Sequence, residues 1–225
     1  MPLTIHHLHV STSERVLWLC EELNIPYELK TYNRTPLLAP PELKALHPQG
    51  SAPVIQDGNK INAVTLAETG ACIEYIAHKH GNGRLFLPPS HPHYADFLYW
   101  FHYANGTLMP NIGRLMMGKL AGLGPDNKMV GYSRERLGKT LKMLDDRVKD
   151  NTWFAGEEFT AADVMMVFPL TTGRYFAQFS LAEYPSLVAY LGRVGERDAY
   201  RRAMEKGDPG LELVLGVESP EKTVV

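Results

Sequence analysis

The chain has 225 residues, of which 44% are hydrophobic and 21% are charged, and its formal net charge is −2 at pH 7. These values suit a globular protein of one large domain or two small ones, and the lack of a basic excess argues against a nucleic-acid partner. No apolar run approaches the roughly 20 residues that span a bilayer, so no transmembrane segment is predicted. The first residues show no signal-peptide pattern, so a cytoplasmic location is expected.

The two cysteines and the nine histidines predict neither a disulfide nor a metal site. Cys20 and Cys72 each fall inside a predicted helix, so they are interpreted as reduced core residues. The histidines form no metal-binding motif such as His-Glu-x-x-His, and scattered structural histidines are favoured over a metal centre.

The first part of the chain alternates between strand-like and helix-like patterns. The predicted elements, in order, are a strand at 3–10, a helix at 15–23, a strand at 27–32, a short helix at 41–46, a strand after Pro53, a strand at 60–63 and a helix at 65–80. Asp57-Gly58-Asn59 is a hairpin turn signal between the last two strands. The order β-α-β-α-β-β-α over residues 1–83 predicts a parallel strand pair with an antiparallel hairpin at its edge.

The second part of the chain is helical in pattern after a proline-rich linker at 84–92. The predicted helices are 93–120, with a kink at Pro110, then 132–149, 164–170, 185–194 and 196–206. Thr160 and Asp163 have the spacing of a capping box, which is a structural signal for a helix start. Residues 93–225 are therefore predicted to form an all-helical domain, with a disordered or loosely packed tail after about residue 207.

Two backbone features of the first domain could hold an extended, zwitterionic peptide. One is the free backbone edge of Ala52 beside Pro53, which could pair with the main chain of a ligand. The other is a helix start that carries Glu68 and Thr69, where an acid suits an ammonium and the helix end suits a carboxylate. A plain hairpin followed by a capped helix explains the same pattern equally well.

Ser11 lies at a junction between a predicted strand and a predicted helix. Its hydroxyl could cap the helix, or it could point at a ligand above the positive helix end. Ser13 is equally able to cap the helix, so the two interpretations of Ser11 are compatible.

These motifs, in this order, resemble those of the cytosolic glutathione transferases. Gly50-Ser51-Ala52-Pro53 is similar to that family's turn with a cis proline, and Glu68-Thr69 is similar to its Glu-Ser recognition pair. Thr160 to Asp163 matches its capping box, and Ser11 to Arg15 matches the arrangement of its serine-type classes. Arg15 to Leu19 and Ala39 to Lys44 look most like a fungal and bacterial branch, one yeast member of which is associated with the endoplasmic reticulum membrane. The resemblance implies a thioredoxin-like first domain, a homodimer and, for that branch, peripheral membrane association.

The resemblance also implies a glutathione site in the first domain. Ser11 would be the catalytic residue, because its hydroxyl would stabilise the glutathione thiolate. The implied glutathione-binding residues are Ser51, Ala52, Pro53, Glu68 and Thr69, with Gln49 and His47 added as candidates for the glycine carboxylate beside Lys44. Thr69 replaces the family's usual serine, and its extra methyl group could crowd the glutamyl carboxylate.

The implied electrophile would occupy a pocket lined from the kinked helix. Its candidate residues are His102, Tyr103, Leu108, Met109 and Met116, and ordinary core packing is the alternative for each of them.

The implied activity is conjugation of glutathione, the co-substrate, to small hydrophobic electrophiles in detoxification, with glutathione-dependent peroxidase activity as an addition and no metal. The alternative is a non-catalytic glutathione- or ligand-binding module on the same fold. No histidine–acid pair lies near Ser11 in the sequence, so Ser11 is interpreted as a thiolate stabiliser and not as a nucleophile.

Overall fold

A computed structural model describes residues 3–58 and 63–224, and it divides into two compact units. The first unit runs to Phe86 and also contains Glu196–Leu211, whereas the second contains Leu87–Gly195 and the residues from Glu212 onward. The predicted boundary near residue 84 agrees with this division, but the predicted extent of the helical domain differs, because residues 196–211 belong to the first unit.

The secondary structure follows the predicted order of elements. The strands are β1 Thr4–Leu8, β2 Glu28–Tyr32, β3 Val54–Asp57 and β4 Val64–Ala67. The α-helices are α1 Glu14–Leu23, α2 Pro41–Lys44, α3 Thr69–Lys79, α4 Tyr94–Tyr103, α5 Met109–Leu120, α6 Lys128–Asp150, α7 Ala161–Leu170, α8 Pro185–Gly195 and α9 Asp198–Gly207. This confirms a thioredoxin-like first domain followed by a helical second domain.

The strands form one mixed sheet in the order β2-β1-β3-β4. β1 and β2 are parallel, whereas β3 is antiparallel to both β1 and β4. The predicted parallel pair and antiparallel hairpin are therefore confirmed.

The hairpin's second strand lies later in the chain than predicted. Of the predicted strand at 60–63, residues 60–62 lie outside the described residues, and β4 begins at Val64. Consequently α3 begins at Thr69 instead of residue 65. The segment Val64–Ala67 has residues that suit a helix, but its pairing with β3 overrides that local preference.

α1 is the buried central helix of the first unit. It packs against α3 and α9, and Val16, Leu17, Leu19 and Cys20 have no exposed surface. α9 turns an apolar face toward α1, with Tyr200 stacked edge-on against Trp18 at 4.9 Å between ring centroids. Burial of this face explains why α9 belongs to the first unit.

Ion pairs border the contact between α1 and α9. Arg197 donates two hydrogen bonds to the Glu22 carboxylate, at 2.6 and 2.7 Å. Arg202 and Lys206 both donate to Glu21. A bidentate arginine–carboxylate pair adds geometric specificity, so these contacts fix the register of α9 on α1.

In the second unit, a wide helical turn precedes Pro110. Ala104–Leu108 forms a π-helical turn between α4 and α5, in which the Met109 N–H donates to the Ala104 carbonyl. A proline inside a regular helix lacks an N–H and crowds the carbonyl four residues earlier. The interruption predicted at Pro110 therefore takes the form of a π turn just before it.

The capping box at the start of α7 is confirmed. The Thr160 hydroxyl accepts a hydrogen bond from the Ala162 N–H, and Asp163 accepts one from the Thr160 N–H at 2.9 Å. The same carboxylate also accepts from the Phe154 N–H and the Tyr190 hydroxyl. Every residue of α7 is buried, so these bonds satisfy polar groups that water does not reach.

The C-terminal segment is packed, in contrast to the loose tail that the sequence predicted after about residue 207. The buried guanidinium of Arg174 donates to the carbonyls of Gly216 and Val217, at 2.8 and 2.6 Å, and to the Ser219 hydroxyl. The Val224 N–H donates to the Tyr175 carbonyl at 2.9 Å. These bonds join residues 216–224 to the second unit. Among the helices of the described residues, none combines the length and apolar character that crossing a membrane requires.

Candidate functional site

Three chain segments meet at one end of the sheet. His6 of β1 is paired with Val54 of β3, so continuing the register places the end of β1 beside Ala52. Val54 is also paired with Ala67 of β4, which places Glu68 beside Pro53. The loop that carries Ser11, the turn at Ala52 and the start of α3 are therefore neighbours.

The turn before β3 has the predicted geometry. The peptide bond between Ala52 and Pro53 is cis. Ser51 is exposed, Ala52 is half-buried and Pro53 is buried. The Thr12 hydroxyl donates to the Ala52 carbonyl at 3.3 Å. Since a carbonyl oxygen has two lone pairs, this contact leaves one acceptor position for a ligand and joins the Ser11 loop to the turn.

Glu68 immediately precedes α3, and Thr69 is the first residue of that helix. Glu68 has φ of 71°, a backbone conformation that is unfavourable for a residue other than glycine. Such strain costs on the order of 1–3 kcal/mol and is concentrated at ligand-binding and catalytic positions. Glu68 is exposed while Thr69 is buried, so the carboxylate is accessible at the positive end of α3.

Ser11 belongs to a hydrogen-bonded pair of serines. The two hydroxyl oxygens of Ser11 and Ser13 are 2.6 Å apart, and Ser11 is 7% exposed. The Ser11 hydroxyl accepts from the Ser13 N–H at 3.3 Å, and because Ser13 precedes the first residue of α1, this bond does not cap an N–H of the helix. The Ser13 hydroxyl makes no capping bond and instead contacts the Leu8 N–H and His7 Nδ1, at 3.2 and 2.9 Å.

The pair of serines is connected to a histidine and an acid that sequence reasoning did not connect to Ser11. His7 Nε2 lies 3.1 Å from the Asp208 carboxylate, which directly follows α9. The same carboxylate contacts His9 Nδ1 and the Val10 N–H, each at 2.9 Å. Sequence spacing alone could not reveal a contact between residues 7 and 208, because the partner arrives only when α9 packs in the first unit.

Asp208 is buried yet held in its charged form. Burial favours the neutral acid and would raise its pKa, but the hydrogen bonds from His7, Val10 and His9 outweigh burial, and a positive charge on His7 would add to their effect. The net effect is a pKa below the ordinary value. At neutral pH the group is therefore a carboxylate that only accepts hydrogen bonds.

The loop before Ser11 is held in a strained conformation. Val10 has φ of 52°, which is rare for a β-branched residue. Its N–H donates to Asp208, and its carbonyl accepts from Arg34 Nη2 at 2.6 Å. Arg34 also donates to the His9 carbonyl. Together these contacts over-determine the loop that presents the Ser11 hydroxyl.

His7, His9 and Asp208 also have donor atoms within 4.8 Å of one another, a spacing that a metal ion would need. Each of these atoms already has a hydrogen-bond partner in the protein. These hydrogen bonds hold the three side chains together in the described structure.

The cysteines do not provide an alternative nucleophile. Both are free and buried. Burial raises the pKa of the Cys72 thiol to about 12 and raises that of Cys20 as well, so neither is a thiolate at neutral pH.

The candidates for the glycine carboxylate lie on the segment after α2. His47 Nδ1 accepts a hydrogen bond from the Gln49 N–H at 3.2 Å. His47 is half-buried, whereas Gln49 and Lys44 are exposed. Their proposed contact with a ligand stays a prediction.

The five candidate electrophile residues all lie in the second unit. Tyr103, Met109 and Met116 are half-buried and His102 is exposed. Leu108 has no exposed surface, so it belongs to the core, as its alternative interpretation allowed. A cavity of about 800 Å³ lies elsewhere in this unit, against Leu115, Leu141 and Phe179, and its described lining includes none of the five candidates.

The fold and the site geometry define a protein of the glutathione transferase class. The family model "Glutathione S-transferase, N-terminal domain" matches residues 11–79, and "Glutathione S-transferase, C-terminal domain" matches residues 102–198. The chain belongs to the glutathione S-transferase family, as the sequence motifs predicted.

Individual relatives extend over nearly the whole chain. Glutathione S-transferase 3 of Schizosaccharomyces pombe is 30% identical, over 96% of this chain and 93% of the relative. The crystal structure of a glutathione S-transferase from Actinobacillus pleuropneumoniae is 33% identical, with a TM-score of 0.81 over 93% of this chain and 94% of that one. A Burkholderia graminis glutathione transferase, solved with two glutathione molecules per subunit, is 22% identical, with a TM-score of 0.76 over 93% of this chain and 90% of that one. At 22% identity, the Burkholderia graminis structure shows similarity of fold alone.

Proposed function

We propose that the protein joins the thiolate of glutathione to small hydrophobic electrophiles. The observation that carries this proposal is the meeting of Ser11, the Ala52 turn and the start of α3 at one end of the sheet. A zwitterionic peptide needs backbone partners for its middle and charged partners at its ends; the Ala52 turn supplies the backbone partners, and Glu68 with the start of α3 supplies charges for the γ-glutamyl end. The relative from Burkholderia graminis, solved with glutathione, supports the choice of ligand.

In this proposal, each part of glutathione has a partner in the first unit. The Ala52 N–H and carbonyl pair with the cysteinyl backbone, within the turn formed by Ser51 and Pro53. The Glu68 carboxylate binds the γ-glutamyl ammonium, and the N–H and hydroxyl of Thr69 bind the adjacent carboxylate at the positive end of α3. The glycine carboxylate is bound by the segment that contains His47 and Gln49.

Ser11 makes the sulfur reactive by favouring its deprotonated form. A free thiol has a pKa of about 8.5, so little of it is thiolate at neutral pH. One hydrogen bond to a charged sulfur, together with the helix dipole of α1, stabilises the thiolate by about 2 kcal/mol. That stabilisation lowers the thiol pKa by about one to two units.

The remaining features of the proposal concern the electrophile and the assembly. Tyr103, Met109 and Met116 offer adaptable apolar walls for an electrophile, with His102 at the surface beside them. Reduction of peroxides is proposed as a second activity, because the same thiolate can attack an oxygen.

A cytoplasmic homodimer is proposed as well, since Tyr99 on α4 and Met117 on α5 expose apolar surface that a second copy would cover.

Two measurements test the proposed activity. The protein is passed over immobilised glutathione, and it is then assayed for conjugation to chlorodinitrobenzene and for reduction of cumene hydroperoxide. Retention with conjugation is the expected result. Retention without turnover would favour a non-catalytic binding module, and failure to bind glutathione would contradict the proposed site.

Glu68→Gln is expected to weaken glutathione binding about tenfold while leaving kcat nearly unchanged. The substitution keeps the shape of the side chain but removes the charge that attracts the ammonium of the ligand. Calorimetry gives the dissociation constant, and steady-state kinetics separates KM from kcat. The matched control is Glu74→Gln, an exposed position on α3, which should bind like the wild type. Equal affinity in the two variants would remove Glu68 from the site.

A further inference from the structure

We propose that His7, held by Asp208, accepts the proton of the glutathione thiol through Ser13 and Ser11. This inference rests on the proposed function, because it concerns where the thiol proton goes when the thiolate forms. His7 would not touch the sulfur, so its role is that of a positioning and proton-accepting residue behind Ser11.

In this proposal His7 is neutral before the ligand binds, and the directions of the hydrogen bonds from Asp208 to Ser11 follow from that neutral ring and the charge on Asp208. A carboxylate only accepts, so His7 Nε2 must donate to it. If His7 is neutral, its Nδ1 then carries a lone pair, and the Ser13 hydroxyl donates to that nitrogen. Because the Ser13 hydroxyl donates its proton to His7, the Ser13 oxygen accepts from the Leu8 N–H and from the Ser11 hydroxyl. In the resting protein the Ser11 proton therefore points inward at Ser13.

This resting arrangement conflicts with the task assigned to Ser11. A serine that stabilises a thiolate must donate its proton to sulfur, yet the resting Ser11 donates to Ser13. The conflict is removed when the thiol proton is transferred to the hydrogen-bonded series of Ser11, Ser13 and His7. The S–H proton moves to the Ser11 oxygen, the original Ser11 proton moves to the Ser13 oxygen, and the Ser13 proton moves to His7 Nδ1.

The products of this transfer balance in atoms and charge. They are a thiolate that accepts a hydrogen bond from Ser11 and an imidazolium that donates to both Ser13 and the Asp208 carboxylate. No bond other than those to the transferred protons is broken. When the product leaves, the proton returns along the same chain to water.

The surroundings of His7 suit an imidazolium paired with a carboxylate. The ring has no exposed surface, and among the described contacts its titratable neighbours are Asp208 and His9, with Arg34 bound to the adjoining loop. The His9 ring lies 5.7 Å from His7, and Arg34 is directed at backbone carbonyls of the same loop. Asp208 is thus the neighbour in direct contact that gains from a positive charge on His7.

The end of α9 has the shape that this contact needs. A Cβ atom added to Gly207 would lie 3.1 Å from His7 Nε2 and 3.1 Å from Leu17. The small residue lets the helix end approach the ring closely, so that the next residue, Asp208, reaches Nε2. A larger side chain at this position would push the ring away from the carboxylate.

The first test follows the charge of the histidine rings in the unmodified protein. Nitrogen NMR of histidine-labelled protein is recorded at pH 7.5 without ligand, with glutathione and with S-methylglutathione. One additional imidazolium is expected with glutathione, and none with S-methylglutathione, because the latter has no thiol proton. If the number of imidazolium rings is the same with and without glutathione, the proposal is overturned. This test uses the unmodified protein, so it does not depend on the folding of a variant.

The second test measures the thiol pKa of bound glutathione from its thiolate absorbance. We expect His7→Gln and Asp208→Asn to raise that pKa by about one unit, which reduces the thiolate fraction about tenfold near pH 6.5. The control is His9→Gln, which removes a contact to Asp208 but is not one of the residues that link Asp208 to Ser13. The thiol pKa of glutathione bound to this variant should stay at the wild-type value.

Zinc retained in equal molar amount by the purified protein would also overturn the proposal, because the ring nitrogens would then bind metal.

Failure of this inference can be told apart from failure of the proposed function. If the wild type binds glutathione as a thiolate and His7→Gln leaves the thiol pKa unchanged, the proposed proton transfer to His7 is wrong, but the proposed transferase function is unaffected. If the wild type does not bind glutathione, the proposed function and the inference fall together.

Discussion

Ser11→Ala is expected to lower kcat/KM for conjugation about 50-fold near pH 6.5, with the dissociation constant of glutathione changed by less than about twofold. In the proposed mechanism the hydroxyl stabilises the thiolate and not the peptide portion of the ligand, so the loss should appear in reactivity. A pH–rate profile measures this directly, because its acidic limb should move to higher pH by more than one unit.

The neighbouring hydroxyl provides the control for this variant. Thr12 donates to the Ala52 carbonyl instead of to the serine pair, so Thr12→Val alters the same loop without touching the proposed thiolate contact. Its pH–rate profile should match that of the wild type. If Ser11→Ala conjugates glutathione at the wild-type rate, Ser11 has no part in thiolate formation, and Ser13 or the end of α1 becomes the candidate.

Asp163→Ala is expected to reduce the free energy of unfolding by about 4 kcal/mol and the midpoint of thermal unfolding by about 10 °C. The variant leaves the N–H groups of Phe154 and Thr160 buried without their acceptor, and it also removes the partner of the Tyr190 hydroxyl. Each unsatisfied buried group costs about 1–3 kcal/mol. Chemical and thermal unfolding followed by circular dichroism give the difference.

An exposed aspartate on α6 is the matched comparison. Asp146 pairs with Lys142 one helical turn away, and both side chains are exposed. Asp146→Ala should therefore change the free energy of unfolding by less than about 0.5 kcal/mol. A comparable loss in the two variants would mean that the buried bonds of Asp163 contribute no more than a surface ion pair.

The first unit could be predicted well because its signals are local. Alternation marks β1 and β2, and Pro53 marks the start of β3, so the parallel pair and the hairpin follow from short stretches of sequence, whereas the cis turn is implied by the family resemblance. The start of α3 could not be placed in the same way. Val64–Ala67 carries no residue that forbids a helix, and only its pairing with β3 makes it a strand.

The chain of contacts behind Ser11 lay beyond sequence reasoning for a different reason. The apolar spacing of α9 predicts that one face of this helix is buried, but periodicity does not identify what covers that face. The structure shows that it packs against α1, and this contact brings Asp208 to His7. A hydrogen-bond partner 201 residues away has no spacing motif that would reveal it.

The return of α9 to the first unit has a consequence for how the protein is made. Residues 3–86 contain every predicted glutathione contact, yet the carboxylate that contacts Val10 and His7 is translated long after them. A nascent chain that stops before Asp208 would hold the loop of Ser11 through Arg34 and Thr12, and His7 would lack its carboxylate partner. The complete set of contacts around this loop therefore forms only after a helix that is translated well after the rest of the first unit.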